Sequence, residues 1–486
     1  MEIRLSLIVL LSILTNLLAA QTQFEEVQPS PPASQIFMDV AISSIAFADI
    51  DNDSDQDVLI TGLSSSAFIS KLYTNDGTGN YIEKSDAIFE GVNNSSIAFS
   101  DVDNDGDQDL LITGNNNSNV SISKLYLNNG SGDFTEDSNT LLEGVKFSSI
   151  AFSDVDNDED QDLLITGQNN LFQSISKLYT NDGLGNFSEN TDVVFGGVYN
   201  SSITFSDTDN DNDQDVLITG QSSLGFISKL YINDGSGIFI EDVELSLDGV
   251  RFGSVAFADI DNDNDQDLLI TGQNSNAKRI SKLYHNDGLG SYTENTDVIF
   301  DGVYHSSIAF ADIDNDNDQD VLITGSRGNS GPYISKLYTN NGTGEYTEDL
   351  SVSFQGVWLS SIAFADIDND MDEDLLITGQ LSSGKPVSKL YENVSTLNST
   401  NQSFNTEFKL FPNPSSDASF TIKTPYENTE VNVKIINLLG QKVYDQMLTS
   451  NMMQKVTIEA TGIATGIYEV ILKRKETIFS TKLLVQ

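Results

Sequence analysis

The sequence predicts an all-β chain: a seven-bladed β-propeller with calcium-binding loops, followed by a small Ig-like β-sandwich. Three observations carry this reading. A run of five aspartates at alternate positions returns seven times at a nearly fixed interval. Each run is flanked by short stretches in which apolar and small or polar residues alternate, the period of a half-buried strand. Beyond residue 393 the acidic runs stop and the composition shifts.

The chain of 486 residues is long enough for more than one domain and a sizeable core. At its start, Leu5–Leu18 is apolar apart from Ser6, Ser12, Thr15 and Asn16, and Ala19–Ala20 precedes Gln21. A short apolar segment ending in small residues is expected to be a secretory signal peptide over residues 1–20 rather than a membrane anchor. No later segment is apolar enough to cross a bilayer, so the mature form is expected to have no transmembrane span. Cysteine is absent, which excludes disulfides, thiolate metal sites and cysteine nucleophiles. The net charge is −49, and the 35 aspartates of the seven runs account for all but −14 of it. Such a chain repels nucleic acid and anionic membrane surfaces.

The runs begin at Asp49, Asp101, Asp154, Asp207, Asp259, Asp312 and Asp366, 52 to 54 residues apart. The first unit reads as four strands: "SSIAFADI" (Ser43–Ile50), "DVLITG" (Asp57–Gly62), "ISKLYTN" (Ile69–Asn75) and a fourth beginning at the aromatic of "NYIEKS" (Asn80–Ser85). A glycine-bearing turn, "NDGTG" (Asn75–Gly79), joins the last two and recurs in five later units. The seventh unit stops after its third strand, "VSKLYEN" (Val387–Asn393), while a spare strand, "QFEEV" (Gln23–Val27), precedes the first. The spare strand is expected to complete the last blade and close a ring over residues 21–393, rather than leave the exposed edges of a linear solenoid.

Aspartates at every second position of a strand-to-strand loop suit a hard cation such as Ca²⁺, which takes six to eight oxygens. Without a cation these carboxylates would repel one another strongly. A merely solvated acidic loop would not need the same alternation seven times. One Ca²⁺ per loop, up to seven, is therefore expected.

These residues resemble a known group. "SSIAFADIDNDSDQDVLITG" followed by "SKLYTNDGTGNY" is similar to the FG-GAP/VCBS repeats of integrin-α-type propellers, over roughly Phe24 to Asn393. The resemblance implies ligands at positions 1, 3, 5 and 9 of each run, with a backbone carbonyl at position 7. In the first copy these are Asp49, Asp51, Asp53 and Asp57, with the carbonyl of Asp55. In the second and third they are Asp101, Asp103, Asp105 and Asp109, then Asp154, Asp156, Asp158 and Asp162. In the fourth and fifth they are Asp207, Asp209, Asp211 and Asp215, then Asp259, Asp261, Asp263 and Asp267. In the sixth and seventh they are Asp312, Asp314, Asp316 and Asp320, then Asp366, Asp368, Asp370 and Asp374. The family favours glycine at position 6, which only Gly106 supplies; Ser54, Asn212, Asn264 and Asn317 are tolerable there. Glu159 and Met371 fit less well, so the third and seventh loops are expected to bind weakly. An EF-hand is excluded because the flanks alternate like strands.

In an antiparallel blade the aspartate loop and the "NDGxG" turn share one face, and both are nearly constant. The connections on the other face vary. Just before each first strand the copies carry Ala41/Ile42, Asn93/Asn94, Lys146/Phe147, Tyr199/Asn200, Arg251/Phe252, Tyr304/His305 and Trp358/Leu359. Among these, Phe147, Tyr199, Arg251, Phe252, Tyr304, His305 and Trp358 are candidate ligand-binding residues at the mouth of a central channel. Aromatic faces with a few polar groups suit a sugar or a peptide, and equally a channel plug. The lysine of "SKLY", present in all seven copies, is expected to form a cross-strand charge pair.

Residues 394–406 read as a Ser/Thr/Asn-rich linker, and 407–486 as the β-sandwich. "LFPNPSS" (Leu410–Ser416), "IINLLGQKVYDQ" (Ile435–Gln446) and "ATGIYEVILKRKETIFSTKLLVQ" (Ala464–Gln486) resemble the C-terminal sorting domain of type IX secretion in Bacteroidota. That resemblance implies engagement of the secretion machinery and delivery to the outer surface or the medium. The expected function is a secreted or surface-displayed recognition or adhesion module for a glycan or protein. Alternatives are a polysaccharide lyase or hydrolase and a purely structural surface protein. Only two histidines occur, His285 and His305, at non-equivalent positions, and no catalytic residue is assigned.

Overall fold

A computed structural model describes residues 23–29, 36–328 and 332–394, together with strands between 409 and 485. The expected signal peptide and nearly all of the expected linker lie outside the described residues. Two compact units are present, one extending to Leu397 and one over Asn398–Gln486. Both are built of strands, and no helix occurs among the described residues.

In the first repeat, β1 (Phe24–Glu26) stands apart, followed by β2 (Ala41–Ala48), β3 (Asp57–Leu63), β4 (Phe68–Thr74) and β5 (Ile82–Glu83). β2, β3, β4 and β5 pair antiparallel in that order. β3 carries the apolar run because both of its faces are covered: Val58, Leu59 and Ile60 are at most 1% exposed. The faces serve different neighbours. Val58 and Ile60 pack with Ile367, Leu376 and Leu390 of the seventh repeat, whereas Leu59 packs with Leu110, Ile112 and Tyr126 of the second. Corresponding clusters lie between each other pair of successive repeats. Each fully buried side chain of this kind contributes about 1.5–3 kcal/mol, so the cohesion lies between repeats more than within them.

Two details of the expected strands are corrected. The first strand starts at Ala41, two residues early, because a bulge between Ala41 and Ser44 lets it pair back to Leu63. The fourth strand is only Ile82–Glu83, and Tyr81 precedes it. The Tyr81 hydroxyl donates to the Gln56 carbonyl at 2.7 Å, so the aromatic ties the turn to the aspartate loop instead of extending the sheet.

β1 pairs with Pro386–Asn393 of the seventh repeat, Phe24 opposite Asn393 and Glu26 opposite Tyr391. The lysine pairing is regular. Lys124–Glu136 (2.9 Å), Lys177–Glu189 (2.8 Å), Lys229–Glu241 (2.7 Å), Lys282–Glu294 (2.8 Å) and Lys336–Glu348 (2.7 Å) match Lys71–Glu83. In the seventh repeat Glu26 of β1 takes the carboxylate's place beside Lys389.

The C-terminal unit has two antiparallel sheets. One joins Lys409–Phe411, Ser419–Lys423 and Lys455–Glu459; the other orders Lys442–Thr449, Glu430–Asn437, Gly466–Arg474 and Thr477–Val485. Val433, Ile435, Tyr468, Val470, Leu483 and Val485, at alternate positions of their strands, are buried.

Candidate metal centre

Each aspartate loop spans the end of one strand and the start of the next. In the first copy Asp57 begins β3 and is 1% exposed. Its Oδ1 accepts the Asn75 N–H at 2.7 Å and its Oδ2 the Ile50 N–H at 3.2 Å. The equivalent bonds hold Asp109, Asp162, Asp215, Asp267, Asp320 and Asp374. Burial outweighs these donors and raises the carboxyls of Asp57, Asp109, Asp320 and Asp374 to about 7, and those of Asp162 and Asp215 to about 6.

Position 1 organises the turn. Asp49 accepts the N–H groups of Asp53 (3.1 Å) and Ser54 (2.9 Å), and Asp53 accepts that of Asp55 (3.0 Å). Position 3 behaves differently. Oδ1 of Asp51, Asp103, Asp156, Asp209, Asp261, Asp314 and Asp368 is buried with no hydrogen-bond partner in any copy. Burial first, then the neighbouring aspartates, raise the pKa of each of these carboxyls. An unsatisfied buried acceptor costs about 1–3 kcal/mol, and more when charged. Carboxylate oxygens of Asp49, Asp51 and Asp53 lie within 4.8 Å of one another, as do those of Asp101, Asp103 and Asp109, and of Asp154, Asp156 and Asp162. An all-oxygen donor set around an orphaned carboxylate oxygen fits a hard divalent cation.

The backbone makes the same turn in every copy. Position 6 is left-handed throughout: Ser54 (φ 74°), Gly106 (91°), Glu159 (71°), Asn212 (72°), Asn264 (70°), Asn317 (71°) and Met371 (73°). Glu159 and Met371 thus adopt the same turn as the others, at the strain a side chain incurs there.

Four recurring residues have roles that the sequence reading did not give them. The asparagine at position 4 reaches into the next repeat. Asn52 donates to Asp107 (2.8 Å), Asn104 to Asp160 (2.7 Å), Asn157 to Asp213 (2.8 Å), Asn210 to Asp265 (2.7 Å) and Asn262 to Asp318 (2.8 Å). The position-7 aspartate is therefore an acceptor between repeats. The turn glycine packs on it: a Cβ on Gly77 would stand 2.5 Å from Asp55 Oδ1. The turn asparagine reaches the other way. Its side-chain amide donates to the position-2 carbonyl of the preceding repeat, Asn128 to Ile50 (2.8 Å) and Asn75 to Ile367 (2.7 Å) among them. The available signal was the recurrence of these residues from copy to copy.

The fifth loop is distinct. His285 stands where the first copy has Thr74, with Nδ1 3.5 Å from Asp261 Oδ2 and 3.7 Å from Asp267 Oδ1. Asn295 Nδ2 sits 2.9 Å from its Nε2.

At the opposite end of the strands, the second residue of each variable pair is also left-handed, including Ile42 (φ 53°), Phe147 (49°), Phe252 (53°), His305 (49°) and Leu359 (50°). These residues, with Asn94 and Asn200, line one cavity of ≈210 Å³. Phe147, Phe252 and His305 therefore share this cavity. Tyr199, Arg251, Tyr304 and Trp358 do not line it, contrary to expectation. The bulge turns one residue inward and leaves its predecessor in register with the second strand, Trp358 opposite Gln380. There Trp358 stacks on Tyr333 (5.2 Å, 19°) and donates from Nε1 to Gln380 at 2.9 Å. His305 bridges inner and outer sets, 4.1 Å from Phe252 and 5.3 Å from Trp358 between ring centres. Burial and the charge of Arg251 push its imidazole down to about 4, so it is neutral.

No protein of curated function matches the chain. Among solved structures, a mutant of AofleA from Arthrobotrys oligospora aligns at 10% identity over 69% of this chain and 91% of its own, with a TM-score of 0.41. A tetra-tandem repeat from the extending region of a large adhesion protein aligns at 11% identity over 91% of this chain and 99% of its own, with a TM-score of 0.13. Dimeric latent PorU from Porphyromonas gingivalis aligns at 10% identity over 73% of this chain and 35% of its own, TM-score 0.14. The profile of the FG-GAP-like repeat matches six overlapping stretches, residues 49–112, 101–165, 154–218, 207–270, 259–323 and 312–377. The secretion system C-terminal sorting domain matches residues 409–486. The chain belongs to the FG-GAP-like repeat family, and its sorting domain marks it for export by type IX secretion to the cell surface or extracellular space.

Proposed function

We propose that residues 21–393 form a calcium-stabilised seven-bladed β-propeller that recognises a glycan on the face opposite its aspartate loops. Residues 1–20 serve as the signal peptide, 394–406 as a linker and 407–486 as a β-sandwich that engages the secretion machinery. What supports the ring is contact between the first and seventh repeats: the pairing of β1 with Pro386–Asn393, the Asn75–Ile367 bond and the Ser43–Thr378 hydroxyl contact at 2.7 Å. Positions 1, 3, 5 and 9 of each run hold one Ca²⁺ with the position-7 carbonyl. The orphaned position-3 oxygens support this assignment.

The observation that carries recognition is the joined cluster of Tyr304, His305, Tyr333 and Trp358, concentrated in two adjacent repeats while the metal face stays constant. A plug would need no such asymmetry. The test is a glycan array probed with the full chain in saturating Ca²⁺, beside a Trp358→Ala/Tyr304→Ala variant. Binding that the variant loses supports recognition here. Equal binding by both proteins places recognition elsewhere, and silence from both removes the glycan reading.

A further inference from the structure

Charge is segregated along the strands. The seven turns between second and third strands, at residues 63–68, 115–121, 168–174, 221–226, 273–279, 326–333 and 380–386, contain no acidic residue. Neither do the seven bulges, at 41–44, 93–96, 146–149, 199–202, 251–254, 304–307 and 358–361. In a chain with 73 acids this one face has none in fourteen segments, yet it carries Lys146, Arg251, Lys278, Arg279, Arg327 and Lys385. Elsewhere in the described repeats, the seven "SKLY" lysines pair with glutamates and Lys84 pairs with Asp133 at 3.4 Å.

The arginines concentrate beside the aromatic cluster. Arg251 donates from Nη1 to Gln221 Oε1 at 2.7 Å and from Nη2 to Gln273 Oε1 at 3.1 Å. Its guanidinium lies over Phe226 at 4.6 Å and Phe252 at 4.9 Å. These partners fix the fork and are all neutral, so they leave its charge uncompensated. Arg279 lies over Tyr304 at 5.0 Å. Arg327 of the next turn is bound to Asp301 at 3.0 Å. The aspartate loops are at the other end of the seven-residue second strand, about 20 Å away. Their field is screened over about 8 Å at physiological ionic strength, so a ligand on this face meets the local positive charge.

We infer that the ligand of this face is an acidic polysaccharide, its carboxylate or sulfate groups held by Arg251 and Arg279 and its sugar rings laid against Tyr304, Trp358 and Tyr333; this rests on the recognition reading above. Guanidinium groups attract such oxyanions through charge-assisted hydrogen bonds, and aromatic faces take the apolar face of a sugar.

The test compares matched polymers bound to the full chain in Ca²⁺: dextran sulfate against dextran, and polygalacturonate against its methyl ester. The expected result is binding on the order of 10-fold tighter to the charged member of at least one pair, weakening as salt rises. Which pair responds distinguishes sulfate from carboxylate. An Arg251→Gln/Arg279→Gln variant with an unchanged melting temperature should lose that preference, and Lys84→Gln should keep it. Equal binding of charged and neutral polymers overturns the inference. So does full charged-polymer binding by the arginine variant, which would instead indicate bridging through calcium at the aspartate loops. Neutral-glycan binding abolished by Trp358→Ala and indifferent to the arginines overturns this inference while leaving recognition standing. Silence on these polymers and on the glycan array overturns both.

Discussion

Asn369 donates its side-chain amide to Asp55 at 2.8 Å, across 314 residues of sequence. It is the same bond that Asn52 makes to Asp107 one repeat along, at the same length. The seventh repeat thus treats the first as its successor. One junction is different: at the sixth-to-seventh boundary Asp372 Oδ1 is buried without a partner, and burial with the adjacent Asp370 raises its pKa.

If the repeats form a ring, these bonds are equivalent wherever they occur. Asn369→Ala and Asn52→Ala should each lower stability by a similar amount, about 0.5–1.5 kcal/mol, in urea unfolding. A full-length chain indifferent to Asn369→Ala but sensitive to Asn52→Ala would argue against the ring.

Chelation should lower the melting temperature markedly. Ions bound only by the folded loops stabilise by about 2.7 kcal/mol per site at a hundredfold excess over Kd. Calorimetry with and without EDTA checks this, and an unchanged transition would remove calcium from the account.

The pH dependence of the ion-free protein should be opposite to that of ordinary paired carboxylates. Asp57, Asp109, Asp320 and Asp374 rise from 3.8 to about 7 on folding. Between those values the folded chain binds more protons than the unfolded one, so stability falls as pH rises. In EDTA the protein should melt higher at about pH 5 than at about pH 8, a range that spans the raised carboxyls. Calcium should reduce or invert that difference, because it requires the carboxylates ionised.

Met371 is left-handed at φ 73° and 81% exposed, so its side chain offers little packing in return. Gly106 occupies the same position with open space around it. Met371→Gly should stabilise the seventh loop by about 1 kcal/mol, the left-handed penalty of a side chain less the flexibility of glycine. Thermal melting in Ca²⁺ measures it; a lower melting temperature would show that Met371 contributes contacts.

What the sequence made legible was everything periodic. Alternating aspartates marked the loops, the interval marked the repeats, and the missing fourth strand with its spare at the other end identified the partner of β1. Asn52 and the side chain of Asp55 were constant yet unexplained, because their partners lie in neighbouring repeats and no local pattern names them. The bulge at Ile42 was hidden for another reason. A β-branched residue in a left-handed conformation contradicts local preference and is imposed by neighbouring strands. Tyr81 was read as the start of a strand because aromatic residues favour strands, whereas its hydroxyl is drawn to the Gln56 carbonyl.

The pairing of β1 with Pro386–Asn393 has a consequence for assembly. A chain deprived of residues 23–29 would leave Lys389 without Glu26 and the backbone edge of the last sheet open. That edge matches a segment every other copy of the chain carries. Intact molecules mixed with trimmed ones should lend it their own first strand, turning an intramolecular clasp into a bridge between two chains.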